Sequence, residues 1–279
     1  MSRPPGILVF DSGLGGLTVF REVAKLRPDA RYIYVADDAG FPYGAWRDDA
    51  LVDRVVSVMT RLIAEHAPDM VIIACNTAST LVLPSLRAQW PDMPFVGAVP
   101  AIKPAAERSR SGIISVLATP GTVARDYTQN LIALFAAHCV VNLVGSAHLA
   151  RIAETFMHGG DVCDPEIVAE IAPCFIEEHG ARTDAVVLAC THYPLLADEF
   201  RRLAPWPVEW IDPAPAIARR ADQLLVDRFG RAPQAGGEVS GRAFFTSGRA
   251  PEETLRATLN RYGLTGRCAL RNQRPGASS

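Results

Sequence analysis

Two stretches constrain the fold more than any other. Val71-Ile-Ile-Ala-Cys75-Asn76-Thr77-Ala-Ser79 and Ala185-Val-Val-Leu-Ala-Cys190-Thr191-His192-Tyr193-Pro194 each run apolar into Ala-Cys, then into small hydroxyl or amide residues. A short apolar run without polar alternation suits a strand buried on both faces, as in a parallel sheet covered by helices. The residue just past such a strand stands at its carboxyl end, where ligands bind in open α/β sheets. A thiol there, twice, predicts two similar halves with one reactive cysteine each.

The remaining chain fits that plan. Residues 7–10 read as a strand, Asp11-Ser12-Gly13-Leu14-Gly15-Gly16 as a turn, and 17–26 as a helix. Then come a strand at 31–36, a Gly-, Pro- and aromatic-rich loop at 39–46, and an amphipathic helix at 49–66. The Cys75 strand, a helix at 77–89, a short strand at 95–96 and a linker at 98–104 follow. The order then restarts with a strand at 112–117, a turn, a helix near 123–137, a strand at 140–144, and a helix at 147–156 carrying Glu154. A long helix at 165–179 leads into the Cys190 strand. A strand within 206–212, a linker at 213–215, a helix at 216–229, a strand at 243–246 and a helix at 251–262 complete the reading. Alternating strands and helices imply parallel sheets.

Composition excludes several classes. With 49% hydrophobic and 21% charged residues and a net charge of −2, the chain carries no basic footprint for nucleic acid or membrane surfaces. The apolar run at 7–10 is too short for a signal peptide, and no run approaches the ~20 residues of a membrane helix. The expectation is a cytoplasmic protein whose six cysteines are free thiols. Gly13-x-Gly15-x-x-Thr18 lacks the third Gly or Ala of the dinucleotide fingerprint, so no cofactor is expected. A carboxylate substrate near the helix start is the better reading, although Asp11 and Ser12 could serve simply as caps.

Cys139, Cys163, Cys174 and Cys268 are expected to be packing residues. Cys75 and Cys190 differ, because helix-start N–H groups should follow them and lower their pKa values. His192 falls two residues after Cys190, on the same side if the backbone stays extended. Cys75, Cys190 and His192 could in principle bind zinc, but the spacing matches no finger or ribbon and no fourth ligand is evident, so no metal is expected. Two thiols facing each other across a cleft suit a different chemistry, in which one removes a Cα proton and the other returns a proton to the opposite face. Asp11 should lie near Cys75. Ser12, Asn76, Thr77, Thr119, Thr122 and Thr191 offer uncharged hydrogen bonds to an amino acid, and the loop at 39–46 a pocket wall.

Taken together, Asp11-Ser12-Gly-x-Gly-Gly, Pro42-Tyr43-Gly44, Cys75-Asn76-Thr77-Ala-Ser and Cys190-Thr191-His192-Tyr-Pro-Leu-Leu resemble the glutamate racemases of the aspartate/glutamate racemase superfamily, over about residues 7–250. The resemblance implies cofactor-independent, two-base interconversion of L- and D-glutamate, supplying peptidoglycan synthesis. It implies two doubly wound parallel-sheet α/β domains related by pseudo-two-fold symmetry, with the site in the cleft between them. The division would be 1–97 with 211–270, then 98–210, with 271–279 a loose tail. Cys75 would deprotonate D-glutamate and Cys190 L-glutamate, assisted by Asp11, His192 and Glu154. Ahead of Glu154, Gly145-Ser-Ala-His-Leu-Ala-Arg departs from the family's Cys-Pro. Ser12, Pro42, Tyr43, Gly44, Asn76, Thr77, Thr119, Thr122 and Thr191 would contact substrate, and a homodimer is the expected assembly. Some members carry an N-terminal extension linked to activation by a peptidoglycan precursor. Only six residues precede the first strand, so no such activation is expected. The alternatives are a racemase for aspartate or another acidic amino acid, and a non-catalytic regulatory protein on the same fold.

Overall fold

The computed structural model describes residues 3–229 and 239–268. In chain order it contains β1 (Gly6–Asp11), α1 (Leu17–Leu26), β2 (Arg31–Ala36), α2 (Asp48–His66), β3 (Met70–Ile73), α3 (Asn76–Gln89), β4 (Phe95–Gly97) and α4 (Ile102–Arg108). Next come β5 (Ile113–Ala118), α5 (Pro120–Val123), α6 (Asp126–Phe135), β6 (Val140–Gly145), α7 (Leu149–Met157) and α8 (Asp164–Ile171). The described residues then form a small hairpin of β7 (Glu177–Glu178) and β8 (Ala181–Arg182), followed by β9 (Ala185–Ala189), α9 (Ala197–Leu203), β10 (Glu209–Ile211), α10 (Ala214–Phe229), β11 (Ser240–Phe245), α11 (Glu253–Arg261) and β12 (Leu264–Cys268).

Two parallel sheets organise these elements. The first runs β12-β11-β2-β1-β3-β4 and the second β10-β9-β5-β6. Taken from its other edge, the second is β6-β5-β9-β10, the same order as β2-β1-β3-β4. The Cys75 strand and the Cys190 strand therefore occupy matching places, each beside the first strand of its half. The central strands β1, β3, β5 and β9 are buried on both faces, which is why they read as unbroken apolar runs. In β1, Ile7 and Val9 join one core cluster while Leu8 and Phe10 join another. In β9, Val186 and Leu188 face one cluster and Val187 and Ala189 the other.

Several elements differ from expectation. The helix placed at 165–179 stops at Ile171, Pro173 falls in a 3-10 turn over Ala172–Cys174, and the chain reverses through Gly180 (φ +79°) into the hairpin. The segment 98–104 is only half a linker, since α4 starts at Ile102. The segment 213–215 likewise enters α10 at Ala214. Prolines 104 and 215 sit in first turns, where a missing N–H costs no intrahelical bond. The helix near 123–137 is two helices, α5 and α6. Strand β12, which pairs beside β11, is not expected from the sequence. The side chain of Cys268 and the tail at 271–279 lie outside the described residues.

Candidate active site

The sheet ends bring the two cysteine motifs together. β1 ends at Asp11 and β3 at Ile73; Ala74 N–H donates to the Phe10 carbonyl, carrying the chain past the sheet edge. Cys75 then caps α3 in extended conformation (φ −62°, ψ 118°). Cys190 directly follows β9 and opens the 3-10 turn at Tyr193–Leu196. Both thiols are buried, with exposures of 5% and 6%. They lie close enough that the charge of one bears on the other. The Cys75 thiol is 3.7 Å from Ser12 Oγ, to which it donates.

The second motif reaches into the glycine turn of the first half. Thr191 Oγ1 donates to Asp11 Oδ2 at 3.0 Å, and Thr18 Oγ1 donates to the Thr191 carbonyl at 3.2 Å. Cys190 Sγ lies 3.7 Å from His192 Nδ1, and His192 Nε2 lies 2.7 Å from Glu154 Oε1. The same Glu154 oxygen accepts from Leu14 N–H at 2.5 Å. Side chains approach this turn so closely that only glycine fits. A Cβ on Gly15 would stand 2.5 Å from His192 Nδ1, and one on Gly13 would overlap Glu154 Oε1.

The structure corrects three local expectations. α1 begins after Gly16 with no side-chain cap, and Asp11 Oδ1 instead accepts from Gly13 N–H within its own turn at 2.9 Å. His192 is helical rather than extended (φ −73°, ψ −31°), yet its ring still meets the Cys190 sulfur. The helix-start field does not win at Cys75. α3 does follow it and Ala78 N–H does bond the sulfur, but burial, helped by the Asp11 charge, pushes the thiol up to about 12. No α-helix follows Cys190 until Ala197.

Burial and charge divide the site into two unlike sides. Burial raises Asp11 above the ordinary carboxyl range despite His192 and the hydrogen bonds from Gly13 and Thr191. Burial alone would lower the His192 pKa and raise that of Glu154. Around His192 the contacts to Cys190 and Glu154 outweigh it and hold the imidazole well above its usual value. Around Glu154 the contact to His192 outweighs it and holds the carboxyl low. His192 Nε2 and Glu154 thus form a charge-assisted pair beside Cys190, while Cys75 keeps its proton at neutral pH.

The remaining expected residues surround these groups. Thr77 Oγ1, from the first half, lies 3.0 Å from Thr119 Oγ1 and 3.3 Å from Thr122 Oγ1, from the second. Asn76 is 1% exposed, and neither its amide nitrogen nor its oxygen has a hydrogen-bond partner among the described residues. A buried amide left unpaired costs stability unless something polar meets it. In the loop after β2, Gly44 approaches Thr119, and the Phe41 ring, next to Pro42, packs 5.4 Å from that of His192. Tyr43 is buried in the same cluster as Cys75, but its hydroxyl donates to Asp37 Oδ2. Asp37 also takes a two-pronged ion pair from Arg54 at 2.6 Å. Among the described residues, no group of three or more His, Cys, Asp or Glu is gathered as metal ligands.

Sequence reasoning missed Arg125. It precedes α6, and its guanidinium crosses to the first half, donating to the Thr77 carbonyl, to Thr80 Oγ1 at 2.7 Å and to Asp48 Oδ1 at 3.0 Å. Nothing in the sequence distinguishes it from a surface arginine.

The model of the Asp/Glu/Hydantoin racemase family matches residues 18–221. The chain belongs to that family. It is 59% identical over 258 residues to a glutamate racemase of Sinorhizobium medicae, covering 92% of this chain and 94% of that protein. A glutamate racemase of Agrobacterium fabrum is 57% identical over 261 residues, covering 93% of each. Among solved structures, the glutamate racemase of Escherichia coli, in complex with L-glutamate and the activator UDP-MurNAc-Ala, superposes with a TM-score of 0.84 at 41% identity, over 95% of this chain and 98% of that one. No helix among the described residues is long and apolar enough to cross a membrane.

Proposed function

We propose that this chain interconverts L- and D-glutamate by a two-base mechanism, supplying D-glutamate for peptidoglycan. The observation that carries it is the pair of buried thiols past matching strands of the two sheets, each with its own carboxylate-linked neighbours. The likeness to glutamate racemases, one of them in complex with L-glutamate, supports the substrate. In the L-to-D direction Cys190 takes the Cα proton, and the C–H electron pair stays on the carbanion. Cys75, which keeps its proton at neutral pH, supplies one to the opposite face. His192 and Glu154 form the charged assembly beside Cys190, and Asp11 stands on the Cys75 side. The unpaired Asn76 amide, with Ser12, Thr77, Thr119, Thr122 and Thr191, would hold the amino and carboxylate groups. The Pro42-Tyr43-Gly44 loop would wall the site. Preorganised dipoles of this kind are what a poorly stabilised carbanion requires.

We take residues 1–97 with 211–270 as one domain and 98–210 as the other, related by a pseudo-two-fold axis. The working form would be a cytoplasmic homodimer. Incubating the protein with L-glutamate in D2O should deuterate Cα as optical rotation decays, with L-aspartate far slower. Full racemisation by Cys75→Ala or Cys190→Ala, or faster turnover of aspartate, would refute the reading. Sedimentation of the same preparation as a monomer would remove the dimer.

A further inference from the structure

We propose that His158 is the outlet of a proton relay joining the buried Cys190 thiol to solvent, an inference that rests on Cys190 acting as a base. Racemisation in one direction leaves the two thiols exchanged. After L-glutamate is converted, Cys190 holds the proton it took and Cys75 has given one away. A second turnover in the same direction requires Cys190 to lose a proton to the medium, and the product does not carry it off. The sulfur is only 6% exposed, so direct exchange with bulk water is poor.

Three side chains step outward from that sulfur. Cys190 Sγ is 3.7 Å from His192 Nδ1, and His192 Nε2 is 2.7 Å from Glu154 Oε1. The other Glu154 oxygen, Oε2, is 3.9 Å from His158 Nε2, one turn further along and just past the end of α7. Exposure rises along the series: the side chains of His192, Glu154 and His158 are 2%, 17% and 46% exposed. The last gap is within reach of a small side-chain rotation or one bridging water. Imidazole is the side chain best suited to trade protons with neutral water.

The transfers balance. The ring accepts while its one proton sits on Nε2, toward the Glu154 carboxylate: the S–H bond of Cys190 breaks, its electron pair remains on sulfur, and the proton goes to the free His192 Nδ1. The ring gives its Nε2 proton to Glu154, which passes one through His158 to water or buffer. The net change is one proton exported and one thiolate restored. The reverse traffic serves the D-to-L direction. His158 acts through Glu154 and His192 and does not touch substrate.

His158→Gln in the full-length enzyme, assayed in dilute non-imidazole buffer, tests the relay. Its kcat is expected to fall about tenfold, less than the roughly 10²–10⁴-fold of direct acid–base catalysis because Glu154, 17% exposed, still meets some water. Its kcat/KM should be retained, because the steps up to product formation do not need the outlet. Added imidazole should restore kcat in the variant and leave the wild type unmoved, a response that loss of a merely structural contact would not give. The side chain is half exposed and its backbone N–H still closes the helix on the Glu154 carbonyl, so the variant is expected to fold. Unchanged kcat, or a lowered kcat that imidazole does not restore, would overturn the relay while wild-type glutamate turnover leaves the two-base reading standing. A wild-type chain that does not racemise glutamate would overturn both.

Discussion

Asp11 shows at the residue scale how the site sets chemistry against stability. It is fully buried, and burial raises its pKa above that of an unfolded chain. The sign follows: the folded protein binds a proton more tightly than the unfolded one. Stability is therefore fully present below the unfolded pKa of ~3.9 and is lost as pH rises through the folded value. Asp11→Asn keeps an oxygen for Gly13 N–H and removes the titration. The variant should melt higher than wild type at pH 8, with the difference closing toward pH 3, and should turn over glutamate at least about tenfold more slowly. Thermal unfolding across that range checks it, and a lower Tm at pH 8 would refute the account. Asp11, Cys75, Cys190 and His192 were legible in the sequence because each sits at or just past the end of an apolar strand. The direction of the Cys75 shift was not, because it depends on what long-range packing leaves around the sulfur. The roles of Arg125 and Arg54 were illegible for the same reason, since the acceptors they reach lie 17 to 77 residues away.

At the scale of elements, the turn between β1 and α1 is packed tightly against the second half. Gly15 has no positive φ; it is glycine because His192 and Thr191 occupy the space of its Cβ. Gly15→Ala must push both away from Cys190 and Asp11. Overpacking of this kind costs about 1–3 kcal/mol, and the displaced His192 should lower kcat by at least about tenfold. Urea unfolding together with kinetics reads both, and wild-type values would show that the halves have room to spare. The strands were legible because burial on both faces leaves no polar alternation to confuse. The helix at 102–108 is not expected from the sequence and the one at 214–229 starts earlier than expected, because Pro reads as a stop although it is harmless in a first turn. The helix expected at 165–179 is shorter than its apolar spacing suggests, because that spacing continues past Pro173, where the structure turns to 3-10 and then to a hairpin. Strand β12 carries Gly266 and Arg267 and has no apolar run to mark it.

For the molecule as a whole, the question is what holds two halves, each with its own core, in register around a shared site. Hydrogen bonds among Thr77, Thr119 and Thr122 join them but involve only neutral hydroxyls. Arg125 adds the charged link, from the start of α6 to the Thr77 carbonyl, Thr80 and Asp48. Its side chain is 11% exposed, so its bonds to Thr77 and Thr80 are shielded from water, while Asp48 is 61% exposed. Hydrogen bonds to a charged group contribute about 1.5–3 kcal/mol. Because Arg125 pins Thr77, the neighbour of Asn76, its removal should loosen the substrate-holding arrangement more than either core. Arg125→Ala is therefore expected to lower kcat/KM by roughly 10- to 100-fold, mostly through KM, which is that energy expressed as a rate ratio. Unfolding of each sheet should shift little. Arg125→Lys, which cannot reach three acceptors with one point charge, should recover only part of the loss. A variant with unchanged KM, or full recovery by lysine, would show that the halves are held without Arg125, by their apolar contacts, the threonine cluster and the bonds of Asp11 to Thr191 and Leu14 to Glu154.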